Sequence, residues 1–259
     1  MPETMSTDGP VLSFNPSVPN SLPLDPLDES DQEIVLSKPM PLRYTWCVWE
    51  QAQITELGNT KYRDNTRMVG KFSTVQEFWQ LWHNVPQPSE LVEGKAMVRD
   101  VVNEVGVLER NYIGALMIFK EGVKPEWEDQ HHMYGGHFQY AMKPATADAE
   151  GNLKPGFTPG QIDEFWNNVV LGVIGSTIEP CNIITGVRLV DKLHGNVRHG
   201  AMLRLEVWYL DKEDATRLTQ LRRNIDTALR TRPDGSQGSN TLKCDQREHC
   251  RERDHNRHR

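Results

Sequence analysis

Trp127 and Glu128 adjoin inside the run Lys124-Pro125-Glu126-Trp127-Glu128-Asp129, and a Gly135-Gly136 pair follows shortly after. A broad aromatic face beside a carboxylate suits a flat, positively charged heterocycle. The ring attracts the cation through its quadrupole. The acid accepts hydrogen bonds from the heterocycle's edge, strengthened because the acceptor is charged. A lone Trp is ordinarily a core residue. Here Glu121, Lys124, Glu126, Glu128 and Asp129 surround it, which predicts a loop. A second chemistry can be drawn from neighbouring residues: Glu128, Asp129, His131 and His132 are the types that bind a metal and activate water. His131 and His132 are adjacent, however, and no HExxH-type spacing accompanies them. Near the end, Cys244-x5-Cys250 with His249, His255 and His258 matches no standard zinc finger. No metal, no cofactor and no catalytic residue is expected.

Elements that could position these groups follow from periodicity. Alternation predicts strands over Arg43–Gln51 and His137–Lys143, a continuous apolar run predicts one over Gly114–Lys120, and Asn182–Val190 and Ala201–Leu210 are two further strands. In the last, Met202, Arg204, Glu206 and Trp208 share one face, and Leu203, Leu205, Val207 and Tyr209 the other. An ion pair with Glu206 competes with any ligand role for Arg204. A capping box from Ser73 and Gln76 predicts a helix bearing Val75, Phe78, Trp79 and Trp82. A second helix is expected over Gly160–Gly175 and a third after an Asp211 cap. Strands with interspersed helices and one polar sheet face predict an α+β fold: an antiparallel sheet with helices on one face.

The 259 residues allow one domain plus tails, and a 37% hydrophobic content is low for a wholly packed chain. Residues 1 to 38 are rich in Pro, Ser and Asp and read as a disordered tail. Residues 39–232 read as the domain, with loop insertions near 93–113 and 144–159, and 233–259 as a flexible C-terminal tail. A net charge of -7 excludes a generally basic nucleic-acid binder, so any RNA contact must be local. Four widely spaced cysteines without a secretory signal predict a reduced, intracellular compartment. No apolar run approaches the roughly 18 residues needed to span a bilayer.

The order of aromatics carries a resemblance. Pro41-Leu42, Trp46-x-x-Trp49, Lys71-Phe72, Thr74-Val75 with Phe78-Trp79, Gly122 through Trp127-Glu128-Asp129, Gly135-Gly136, Phe165-Trp166, Ile174-Gly175 and Trp208 follow one another as in the translation initiation factor 4E family of messenger RNA cap-binding proteins. The resemblance covers about residues 40–232. It implies a curved antiparallel sheet with about three helices on the convex face and a pocket for N7-methylguanosine on the concave face. It implies Trp127 and Tyr62 as the walls of a base sandwich, Glu128 as the acid reading the guanine edge, and Trp208 near the N7-methyl group. Lys192 and Arg204 fall where the family holds the triphosphate, with Arg198 as a substitute for Lys192.

On the convex face, Pro41, Val75, Trp79 and Leu171 match the site where scaffold and inhibitor proteins dock a YxxxxLΦ helix. Val75 and Trp79 are four apart, on one helix face. Asn167-Asn168 departs from the family's Leu-Glu there, and Glu206 replaces a small or apolar residue. The expected function is therefore non-enzymatic: recruitment of capped messenger RNA to translation initiation through an initiation factor 4G-type scaffold or a 4E-binding protein. The runner-up is a cap-occupying repressor with altered scaffold binding, and a third reading is an interaction module whose mouth no longer takes a cap. A cytoplasmic monomer, also present in the nucleus, is implied. The insertions resemble those of divergent protist, trypanosomatid-like members, which raises a hypermethylated cap as ligand.

Overall fold

The computed structural model describes residues 38–53, 65–102, 106–147, 153–193, 201–232, 234–239 and 242–249. Its framework is an antiparallel, curved eight-stranded sheet. The strands are β1 (Pro41–Ala52), β2 (Thr66–Thr74), β3 (Val98–Val102), β4 (Leu108–Lys120), β5 (Gly136–Met142), β8 (Ile184–Lys192), β9 (Met202–Tyr209) and β10 (Cys244–Glu248). The order is β10-β5-β9-β8-β4-β1-β2, with β3 pairing the outer half of β4. A separate ribbon joins β6 (Thr146–Ala147) to β7 (Leu153–Lys154). Three long helices, α1 (Val75–Trp82), α3 (Pro159–Ile174) and α4 (Ala215–Arg230), cover one face, with a short α2 (Pro88–Val92) between the first two.

Period-two alternation divides the sheet into a dry face and a mouth. Trp46 and Val48 of β1, Leu116 and Ile118 of β4, Val187 and Leu189 of β8, and Leu203, Leu205, Val207 and Tyr209 of β9 point to the helices. They meet Phe78 and Trp82 from α1, Ile162, Trp166, Val169, Val170 and Val173 from α3, and Leu218, Leu221, Ile225 and Leu229 from α4 in one core. The opposite face carries a smaller cluster of Ala115, Met117, Phe119, Val123, Val190 and Trp208, with Trp49 against it.

Local chemistry shifts several expected boundaries. The α1 capping box is made by Thr74 and Glu77, one residue beyond Ser73 and Gln76: Glu77 N–H donates to Thr74 Oγ1 (3.2 Å), and Thr74 N–H donates to Glu77 Oε2 (3.1 Å). The α4 cap is Asp214, which accepts from Arg217 N–H (3.0 Å), while Asp211 caps a preceding turn through Glu213 N–H. The expected insertion at 93–113 extends the sheet as a β3–β4 hairpin, and that at 144–159 carries the β6–β7 ribbon. Residues 244–248 of the expected flexible tail form β10, paired with β5 from Cys244↔Tyr140 to Glu248↔Gly136. Glycine is needed at that edge: a Cβ on Gly136 would lie 2.2 Å from the Arg247 carbonyl, and one on Gly135 would lie 2.0 Å from the Tyr209 carbonyl.

Thr74→Ala removes one half of the α1 box and is expected to cost about 1 kcal/mol of stability. Urea unfolding checks this, with an unchanged m-value and a lower midpoint.

Candidate cap-type pocket and its charged floor

Trp127 and Glu128 sit in the connection from β4 to β5, which internal hydrogen bonds brace. Asp129 accepts from Lys124 N–H (3.0 Å), from His131 N–H (2.8 Å) and from the His131 ring (2.8 Å). His132 Nε2 lies 2.7 Å from the Glu126 carbonyl, so that nitrogen carries the proton and donates. The bonds bracket the Trp-Glu pair and leave it outward. Trp127 is 53% exposed, and Glu128 is exposed with its carboxylate unpaired among the described residues. His131 and Asp129 satisfy each other, and His132 is fully buried with its donor turned to the backbone. Among the described residues no three His, Cys, Asp or Glu side chains are grouped as metal ligands.

Beneath this loop, Trp208 lies on the mouth face of β9 and is fully buried. Phe119 and His132 meet it edge-on, at 5.2 and 5.0 Å between centroids. His137 stacks on it at 5.4 Å and 17°. His249, just beyond β10, packs closer still, at 4.3 Å. His249 Nδ1 lies 2.9 Å from the His132 carbonyl and must be its donor, so His249 Nε2 accepts from His137 Nδ1 at 3.0 Å.

Glu206 forms a charged floor beside Trp208. It is almost wholly buried and takes Trp208 Nε1–H at 3.1 Å, Arg188 Nη1 at 3.3 Å and Arg204 Nη2 at 3.1 Å. Arg188 also donates to Gln51 Oε1. Burial alone would raise the Glu206 carboxyl, but the Arg188 and Arg204 guanidinium groups and the indole N–H outweigh it, and the group lies below the usual range. Lys192, exposed at the end of β8, is pushed down by partial desolvation and by Arg204 and Arg188. Arg188, Arg204 and Lys192 outnumber the carboxylates Glu206 and Asp191 here and leave this corner net positive, and the Nε atoms of both arginines are buried without a partner among the described residues.

The structure therefore brings Trp127, Glu128, Trp208, Arg204 and Lys192 to one face of the sheet. Arg204 is not a free cation: it is paired to Glu206. Tyr62 and Arg198 lie outside the described residues. Sequence reasoning missed Arg188, although a charged residue inside the apolar run Ile183–Val190 was a usable signal. It also missed the imidazoles of His137 and His249, because no local pattern links a tail residue to β5.

On the helix side, Val75, Trp79 and Leu171 are half-buried and Pro41 is exposed. Asn167 turns inward, accepting from Trp82 Nε1 (3.2 Å) and donating to Gln87 Oε1 (3.0 Å) and the Asp163 carbonyl (2.9 Å). Asn168 donates to the Ala228 and Thr231 carbonyls (3.1 and 2.7 Å) and so ties α3 to the end of α4.

A sheet of this order, backed by helices, carries a tryptophan–carboxylate loop over a basic corner. The family model described as "Eukaryotic initiation factor 4E" matches residues 41–255. The chain belongs to the eukaryotic initiation factor 4E family. It is similar to eukaryotic translation initiation factor 4E of Saccharomyces cerevisiae, 31% identical over 157 residues that make up 60% of this chain and 58% of the yeast protein. The Candida glabrata protein of that name is 29% identical over 195 residues, 75% of this chain and 70% of its own length. The fold is similar to that of C. elegans eIF4E-3 solved with the 4E-binding protein Mextli and a cap analogue. The TM-score is 0.52 at 20% identity, covering 74% of this chain and 86% of that one. Among the described residues no helix is long and apolar enough to cross a membrane.

The histidine cluster gives the pocket an acid sensitivity. Burial drives His137 down to about 4 and His249 down to about 3. Glu206 raises both, while Arg188, Arg204 and Arg247 press on His137, and His137 and His132 on His249. Both values lie below the ordinary ~6.5, so the folded chain holds neutral rings and the unfolded chain binds protons first. Their contribution to stability is complete above about pH 6.5 and is lost as pH falls from there towards about 4 and about 3. Going from pH 7.5 to 5 should cost about 2 kcal/mol per ring. Urea midpoints at the two pH values test this, and His249→Gln should remove part of the difference.

Proposed function

We propose that this chain binds the N7-methylguanosine 5′ cap of messenger RNA at the mouth of its sheet. From there it recruits the message to the translation machinery through a scaffold or 4E-binding protein on its helix face. The observation that carries this reading is the exposed Trp127–Glu128 pair on a braced loop, its carboxylate unpaired among the described residues, in a chain of the initiation factor 4E family. Relatives solved with cap analogues and with 4E-binding proteins support it. Methylation gives guanine a delocalised positive charge, which the indole face attracts by about 0.5–2 kcal/mol. Stacking adds about 1–3 kcal/mol. Glu128 accepts from the N1 and N2 donors of the same base, and charged hydrogen bonds of this kind contribute about 1.5–3 kcal/mol. Arg188, Arg204 and Lys192 offer the triphosphate a basic corner that Glu206 holds in shape. The activity is binding without turnover, and the site of action is the cytoplasm.

A cap-occupying repressor remains the second reading, favoured by one observation. Asn167 and Asn168 spend their amides inside the fold, so the helix face offers a partner little beyond Pro41, Val75, Trp79 and Leu171. Binding of a YxxxxLΦ peptide measured by calorimetry separates the two, and its absence with cap binding retained selects the repressor. Parallel titration with the hypermethylated cap tests the ligand choice suggested by the protist-like insertions.

The full chain should be retained on N7-methylguanosine triphosphate resin and be eluted by free cap but not by GTP. Trp127→Ala and Glu128→Ala should each weaken cap binding on the order of tenfold to a hundredfold, with an unaltered circular dichroism spectrum. Retention of wild-type affinity by both variants would refute this site.

Trp79→Ala should leave cap affinity unchanged and weaken the scaffold-type peptide on the order of tenfold or more. A collapsed thermal transition in that variant would instead assign Trp79 to the core.

A further inference from the structure

The C-terminal strand brings an aromatic side chain of this chain into the cap-type pocket. His249 lies nearly parallel to Trp127, with a 7° interplanar angle and 6.1 Å between centroids. A planar base inserted between two parallel rings needs two stacking steps of about 3.4 Å, about 6.8 Å in all. The gap is smaller than that, and the imidazole is itself seated on Trp208 at 4.3 Å. His249 thus stands between the two tryptophans rather than flanking an empty slot.

Its polar atoms fit the seat. The ring donates to the His132 carbonyl and accepts from His137, and the His249 backbone N–H donates to the Gly135 carbonyl at 3.2 Å. Trp208 cannot be reached from solvent while this arrangement holds. Of the four rings covering it, Phe119, His132 and His137 belong to β4, its following loop and β5, in the body of the sheet. Only His249 belongs to an element that can leave without dismantling that body.

That element is lightly held. Among the described residues β10 is an edge strand, five residues long, whose backbone ladder runs to β5 alone. Gln246, Arg247 and Glu248 are exposed; side-chain ties run from Gln246 to the Tyr209 hydroxyl (2.9 Å), from Glu248 to Lys212 (2.8 Å) and between Cys244, packed at the edge of the core, and Tyr140. Leu242 is its main buried apolar anchor. Short edge segments with few buried contacts open at the low end of a protein's stability range.

We propose that β10 is an autoinhibitory strap, with His249 as an internal competitor for the stacking slot that a methylated base must displace. The inference rests on the cap-binding reading above. The closed form reduces apparent affinity by the fraction of molecules that are open, so removing the competing ring strengthens binding.

Calorimetric titration of the full chain and of full-length His249→Ala with N7-methylguanosine triphosphate and with GTP tests the strap. It is joined by amide hydrogen exchange of the wild type with and without the methylated nucleotide. The variant should bind the methylated nucleotide more tightly, on the order of tenfold, with no comparable gain for GTP. In the wild type, saturating ligand should speed exchange of the amides at 244–249 while those of β8 and β9 keep their protection. Equal or weaker binding by His249→Ala, or slower exchange of β10 with ligand, would overturn the strap and make His249 a wall of the pocket. If neither form binds the methylated nucleotide, the cap-binding reading itself fails. A misfolded variant still leaves the wild-type exchange result to decide.

Discussion

One buried carboxylate organises the mouth of this protein. Glu206 sits in a strand that would otherwise present only apolar or cationic groups at that depth, and an unpaired acid there would cost several kcal/mol. Arg188, Arg204 and the Trp208 indole N–H compensate it, and each is fixed in position by doing so. The orientation of Trp208, the inward lean of two guanidinium groups and the net positive corner at Lys192 all follow from that pairing. The acid trades some of the arginines' charge for a defined arrangement.

The two faces of the sheet are independent in their chemistry. Towards the helices, alternation and the amphipathic stripes of α1, α3 and α4 close a single core, in which the Trp46 and Trp166 indole N–H groups are buried without a partner among the described residues while the asparagines of α3 are satisfied. At Asn167 and Asn168 an expected loss of partner contacts is a gain of hydrogen bonds between α3, the Trp82 indole and the end of α4. Towards the mouth, polarity is clustered and the loop before β5 is held by Asp129 and His132. That loop geometry keeps the Trp127 ring outward without support from the core.

How much of this could be read in advance depended on range. The five expected strands and the two longest helices were legible because a two- or 3.6-residue period, or for Gly114–Lys120 a continuous apolar run, is written into neighbouring positions. The family resemblance was legible because its aromatics occur in order. The caps slipped by a few residues because Ser73, Thr74, Asp211 and Asp214 are all competent acceptors, and only the backbone decides which one is used. β2, β3 and β10 were missed for another reason. Their pairing partners lie across a connection or about a hundred residues away, and Cys244–Glu248 has no apolar alternation to announce a strand. The same gap hid His249 from the pocket: a histidine in a polar tail carries no local sign of stacking against Trp127 and Trp208. Arg188 was the avoidable omission, since a guanidinium inside an apolar run needs a buried partner wherever it falls.

The uneven burial of the tryptophans has an optical consequence. The chain has seven: Trp46, Trp166 and Trp208 are fully enclosed, Trp82 nearly so, and Trp49 and Trp79 are half-covered. Trp127 alone among them is exposed. Indoles shielded from water emit at shorter wavelengths than wetted ones, so the red flank of the emission band belongs chiefly to the one ring at the rim. An ionic quencher that cannot enter the interior would extinguish that flank first, which makes the loop a reporter of its own occupancy without any added dye.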